Sequence, residues 1–119
     1  MKLKHIFAIL LMFIGLSSCD KALEDVDFNV ALSESNTYAA GSDVVFKISG
    51  TPNWVTFYSG KTGAVYPAGG VAIKNISNSL TTYSFKYADP GTYVVTFLAG
   101  NTNYDGEKTV VKELTITIN

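Results

Sequence analysis

The chain of 119 residues is long enough for one domain with one core and too short for two. With 47% hydrophobic and 16% charged residues it is neither disordered nor collagen-like in composition. A net charge of −1 at pH 7, with no arginine in the chain, supplies no basic patch for a run of phosphates and argues against nucleic acid as a partner.

The amino terminus has the layout of a secretory signal. Lys2, Lys4 and His5 form a cationic start, residues 6–16 are apolar apart from Gly15, and Ser17 and Ser18 precede Cys19. The apolar stretch falls well short of the roughly 20 residues a spanning helix needs, so cleavage is expected rather than a retained anchor. Leu16-Ser17-Ser18-Cys19 resembles the lipobox of bacterial lipoproteins. That resemblance implies a diacylglycerol on the Cys19 sulfur and Cys19 as the first residue of the mature chain. Two or more acyl chains make a lasting membrane anchor where one binds reversibly. The expected organisation is a signal peptide over residues 1–18, a lipidated tether over 19–25 and a domain over 26–119. Losing Lys2 and Lys4 takes the cationic residues from 9 to 7 against 10 acids, a mature charge of −3. The acidic run of Asp20, Glu24, Asp25 and Asp27 resembles the export signals of Bacteroidota-type surface lipoproteins. It implies an outer-membrane position facing outward, with a periplasm-facing position as the alternative.

From Val26 onward the apolar residues alternate with period two, as half-buried strands require. Val26, Phe28, Val30 and Leu32 mark a first strand, residues 33–42 a loop, and Val44, Phe46 and Ile48 a second strand that stops at Gly50-Thr51-Pro52-Asn53. Residues 54–58 are aromatic and β-branched, a third strand. A glycine-flanked turn over 59–63 precedes a short edge segment at Val65-Tyr66-Pro67, and Gly69-Gly70 bends the chain into Val71, Ile73 and Ile76. Residues 80–87 form another strand, ended by Asp89-Pro90-Gly91. Residues 92–99 form the next, a loop spans 100–108, and Leu114, Ile116 and Ile118 alternate with Thr115 and Thr117 in the last. About seven short strands separated by regular turns predict an all-β antiparallel sandwich. Parity points Phe28, Phe46 and Phe97 inward with Tyr93 beside them, and Trp54 is expected in the core. Tyr93, just after Pro90-Gly91, is placed to hydrogen-bond back across a sandwich corner.

Asp89-Pro90-Gly91-Thr92-Tyr93-Val94-Val95-Thr96-Phe97 resembles the pGtYtVtl signature of polycystic-kidney-disease (PKD) domains. Lys108 and the residues after it are similar to the final strand of that family, residues 41–46 to its second strand, and residues 54–60 to its tryptophan strand. The usual W-x-F-G-D-G is absent, and Phe57-Tyr58-Ser59-Gly60 stands in its place. The chain looks closer to an uncharacterised family of Bacteroidota lipoproteins in which a PKD-like domain follows the lipobox. The resemblance spans residues 26–119 and implies an immunoglobulin-like sandwich, without catalytic activity, that serves as a spacer or adhesive module.

Catalytic chemistry has few carriers. His5 and Cys19 are the only histidine and cysteine, one in the leader and the other at the lipidation position. Histidine-dependent triads, zinc sites and guanidinium clamps are therefore excluded from the mature domain. Two acids suffice for glycoside hydrolysis, but Asp43, Asp89, Asp105, Glu107 and Glu113 read as solvated loop and edge charges. No enzymatic activity is expected. Asn101, Asn103 and Asp105, followed by Gly106, resemble the first half of a calcium loop, yet Lys112 stands at the twelfth position where a bidentate Glu belongs. A hairpin turn with positive φ at Asp105-Gly106 is the favoured reading, and neither metal nor cofactor is expected beyond the lipid. Seven tyrosines remain, and Tyr58, Tyr66 and Tyr104 are the candidates for an exposed aromatic surface. Two roles fit: an interaction or spacer module that binds an envelope protein through an open strand edge, or a glycan-binding accessory of an outer-membrane uptake system. The first is favoured, because no sugar-specific cluster is visible.

Overall fold

The computed structural model describes residues 25–75, 79–104 and 106–119. Eight strands follow one another: β1 (Phe28–Leu32), β2 (Thr37–Tyr38), β3 (Asp43–Gly50), β4 (Trp54–Tyr58), β5 (Val71–Lys74), β6 (Thr82–Lys86), β7 (Gly91–Asn103) and β8 (Gly106–Ile118). They form two sheets, β1-β3-β6 and β2-β8-β7-β4-β5, packed face to face as an immunoglobulin-like sandwich.

The alternation written in the sequence builds the core. Phe28 and Val30 of β1, and Val44, Phe46 and Ile48 of β3, meet Val55 and Phe57 of β4, Val95, Phe97 and Ala99 of β7, and Ile116 and Ile118 of β8. Phe97 sits at its centre, 5.1 Å from the Phe46 ring and 5.2 Å from that of Phe57. Such tilted and edge-on contacts set the positive ring edge against the negative face of its neighbour. The expected corner is present: the Tyr93 hydroxyl donates to the Asp89 carbonyl at 2.7 Å. A second, buried tie crosses between the sheets, where the Tyr87 hydroxyl donates to the Ser59 carbonyl at 2.7 Å.

Several expectations are corrected. The stretch 33–42 is not only loop. It carries the chain from the first sheet into the second, where β2 pairs parallel with β8 through Thr37↔Thr117 and Tyr38↔Ile118, so the sandwich is not wholly antiparallel. Within the stretch 100–108, residues 100–103 and 106–108 are not loop but the outer part of a long ladder, in which β7 and β8 pair without a register break from Gly91↔Ile118 to Asn103↔Gly106. Gly106, with φ +138°, takes the left-handed backbone that the tight connection demands. Val65, Tyr66 and Pro67 lie in turns rather than an edge strand.

Trp54 is also corrected. Val55 and Phe57 point into the core, so Trp54, Thr56 and Tyr58 project from the outer face of the five-stranded sheet. There the indole lies across Gly100, whose missing Cβ gives it room, and its Nε1 donates to Thr102 Oγ1 at 3.2 Å.

Candidate functional site

Among the described residues Asp43, Glu107 and Glu113 do not come together, and Asp89 lies exposed between β6 and β7. Asp43 pairs with Lys86 at 2.7 Å on the three-stranded sheet, while Glu107 and Glu113 lie on β8 of the other. Six positions of one strand separate those two, about 20 Å, well beyond the spacing of a hydrolytic carboxylate pair. Among the described residues no group of three His, Cys, Asp or Glu side chains converges on a metal-sized site. Cys19 and Asp105 lie outside the described residues. Asn101 and Asn103 are ladder residues, opposite Lys108 and Gly106.

The three candidate tyrosines do not form one surface. Tyr58 is buried because residues 59–70 fold back over the outer face, packing the Tyr66 ring edge-on against it at 5.1 Å. Gly70 lies directly on the Tyr58 ring, and a Cβ there would meet it at 2.5 Å. Tyr66 is partly exposed, whereas Tyr104 stands fully in solvent at the tip of the β7–β8 hairpin. Tyr58 pairs with Thr96, and Tyr104 lies eight positions further on, just past the end of β7 and about 27 Å away.

One flank of the sandwich is open. The first sheet has three strands against the five of the second, whose outer edge is β5. A cleft of about 280 Å³ remains there, floored by Phe57, Phe85 and Val71 and walled by Ser59, Lys61, Thr62, Gly63, Ala64 and Gly69. The Lys61 ammonium lies 5.9 Å from the centroid of the Phe85 ring. Phe85 is only partly buried there, packed against the edge of the core.

The other flank carries the most extended unpaired backbone. Thr117 N–H donates to Asn36 O and Asn119 N–H to Tyr38 O, so the odd-numbered residues of β8 turn their peptide groups away from β7. The unbroken β7–β8 register carries that parity back along the strand. Among the described residues β2 covers only Thr117 and Ile118. Glu107, Thr109, Val111, Glu113 and Thr115 therefore turn amides and carbonyls to the edge with no backbone partner among the described residues. Their side chains lie on the outer face, while Lys108, Val110, Lys112 and Leu114 lie on the core side, where Val110 and Leu114 pack against the core. Lys108 is tied to Asp25 at 2.9 Å, and that hydrogen bond and charge hold the Asp25 carboxyl below its ordinary pKa.

The hairpin that carries this edge is braced at its base. Asn53, just before β4, continues the ladder with its own groups: its N–H donates to Gly100 O at 2.9 Å, and its Oδ1 accepts from Thr102 N–H at 2.9 Å. Trp54, Thr102 and Glu107 form a relay across the outer face, with Thr102 Oγ1 donating to Glu107 Oε2 at 3.3 Å. The edge is thus a built surface, and its length is the feature sequence periodicity missed.

A family model described as "Domain of unknown function (DUF5017)" matches residues 17–111. No curated protein matches. Among solved structures the chain is similar to the solution structure of the PKD domain from human VPS10 domain-containing receptor SorCS2. The identity is 18%, the TM-score 0.53, and the alignment covers 82% of this chain and 78% of that one. At that identity the likeness establishes the fold, a PKD-like immunoglobulin-like sandwich, and nothing of ligand or partner.

Proposed function

The chain belongs to the DUF5017 family of domains of unknown function, and we propose that it is a non-catalytic interaction and spacer module of the bacterial cell envelope. The unpaired edge of β8 is the observation that carries this reading. Edge-facing peptide groups over nine positions, 107–115, with no backbone partner among the described residues, offer a template on which a strand of another protein adds to the sheet. The lipobox-like Leu16-Ser17-Ser18-Cys19 supports a lipid anchor on Cys19. The envelope placement is an outer-membrane lipoprotein facing outward, joined to its membrane by the short tether of residues 19–25. A glycan-binding accessory role would require a connected aromatic platform, which Tyr58, Tyr66 and Tyr104 do not make.

The test is cross-linking in cells with the intact chain and a Val111→Pro variant. The Val111 N–H faces away from β7, so proline blocks an incoming strand while leaving the β7–β8 ladder intact. A partner captured by the parent and lost in the variant is the expected result. The same capture by both, or none by either, overturns the edge as the interaction surface. Mass spectrometry of the native product tests the anchor separately: diacylglycerol on Cys19 is expected, and an intact leader with a free thiol would overturn the envelope placement.

A further inference from the structure

We infer that the β8 edge selects its partner by charge, and that the strand it accepts is an antiparallel peptide bearing a carboxylate opposite Lys112 and cations opposite Glu107 and Glu113. This rests on the edge being the interaction surface, and it adds the chemistry of what the edge takes.

The side chains of residues 107–115 fall into two rows. The outer row reads Glu107, Thr109, Val111, Glu113, Thr115, and all five are exposed. The core-side row reads Lys108, Val110, Lys112, Leu114. Lys112 lies opposite Phe97 in the β7 ladder, so its half-buried stem lies on the apolar side of the sheet while its ammonium has no ion-pair partner among the described residues. An inward-pointing lysine in an edge strand rejects a purely apolar strand, because pairing would desolvate the ammonium without compensation. A carboxylate directly opposite turns that penalty into an attraction, which is how a guarded edge gains a specific partner. Lys108 already holds Asp25, so Lys112 dominates the selection.

A second copy of the chain fits poorly. Pairing two β8 edges antiparallel about Val111 sets Lys108 diagonal to Lys112 and Glu107 diagonal to Glu113 of the copy. Centring on residue 110 or 112 sets like charges directly opposite one another. Both arrangements are destabilising.

The probe is a fluorescein-labelled peptide, TVKEVVTEK, whose nine positions run opposite residues 115 to 107. Its fourth residue is the glutamate that faces Lys112. Binding to the full chain in detergent is followed by fluorescence anisotropy. The expected result is saturable binding that Val111→Pro abolishes and Lys112→Glu weakens roughly tenfold, since an attractive cross-strand pair becomes a repulsive one. The peptide TVKKVVTEK should reverse the preference and bind the Lys112→Glu chain better than the parent. Thr109→Pro, whose N–H also faces outward, replaces Val111→Pro if that variant fails to fold. Loss of binding in the proline variant with no response to either charge change overturns the charge selection and leaves the edge standing. Binding that survives the proline overturns both, and no binding of either peptide overturns the charge selection.

Discussion

Two tyrosine hydroxyls make hydrogen bonds of equal length in opposite surroundings, and the pair isolates what burial does to a bond's worth. Tyr87 and Tyr93 each donate to a backbone carbonyl at 2.7 Å, that of Ser59 and that of Asp89. Tyr87 is 1% exposed and Ser59 5%, whereas Asp89 lies in solvent. Replacing either tyrosine by phenylalanine leaves the ring contacts in place, including the 4.4 Å centroid contact between the two. In Tyr87→Phe the Ser59 carbonyl is left buried without its donor, so the cost combines a lost bond and an uncompensated desolvation, about 2 kcal/mol. In Tyr93→Phe water replaces the hydroxyl, and the cost is about 0.5–1 kcal/mol. Urea denaturation reads the difference. The midpoint of Tyr87→Phe should fall by roughly 1–2 M at unchanged slope, and that of Tyr93→Phe by about a quarter to a half as much. Equal shifts for the two variants would refute the argument that burial sets the size of the effect.

Two other outcomes are expected. Gly100→Ala drives a Cβ into the Trp54 indole, so it should cost about 1–3 kcal/mol and shift the emission of the single tryptophan to the red as the ring leaves its seat. Burial raises the pKa of Tyr83 and, much further, that of Tyr87 above the ordinary tyrosine value of 10.0. Both groups are acids whose folded values are raised, so their contribution is complete below pH 10 and is lost as pH climbs through the folded values. Alkaline titration of stability should therefore show a decline beginning near pH 10 that is shallower in Tyr87→Phe.

Much of the fold was legible because a sandwich strand with one wet face must alternate. Phe28, Val30, Val44, Phe46, Ile116 and Ile118 all declare their side by parity, and Pro90-Gly91-Thr92-Tyr93 announces its corner. What the sequence hid follows from where that rule lapses. In the outer part of the β7–β8 hairpin both faces meet solvent, so Asn101, Thr102, Asn103 and Thr109 need no apolar alternation and read as loop. Two residues are too few for β2 to show any period. In β4 both faces are covered, one by the core and the other by residues 59–70, so Trp54 and Tyr58 are as apolar as Val55 and Phe57 and parity gives no direction. Tyr58 is buried because the turns that follow it, residues 59–70, fold back over its ring, which period-two alternation does not encode. The free edge of β8 was invisible for a related reason: periodicity reports which way side chains point, and says nothing of which peptide groups find a neighbour.

The short parallel pairing of β2 with β8 has a mechanical consequence. Asp25 is fastened beside Lys108, while Asn119 closes on Tyr38 at the far end of β8, eleven positions and about 37 Å away. Tension applied between those two residues slides β2 and β8 past one another rather than peeling them apart. The bonds from Thr117 to Asn36, Asn119 to Tyr38 and Ala40 to Asn119 then bear the load together. Forced unfolding is set by the rate of crossing its barrier, and three bonds sheared at once raise that barrier more than three broken in turn. Shear at the short pairing of β2 with β8 thus makes the domain resist tension applied along its long strands.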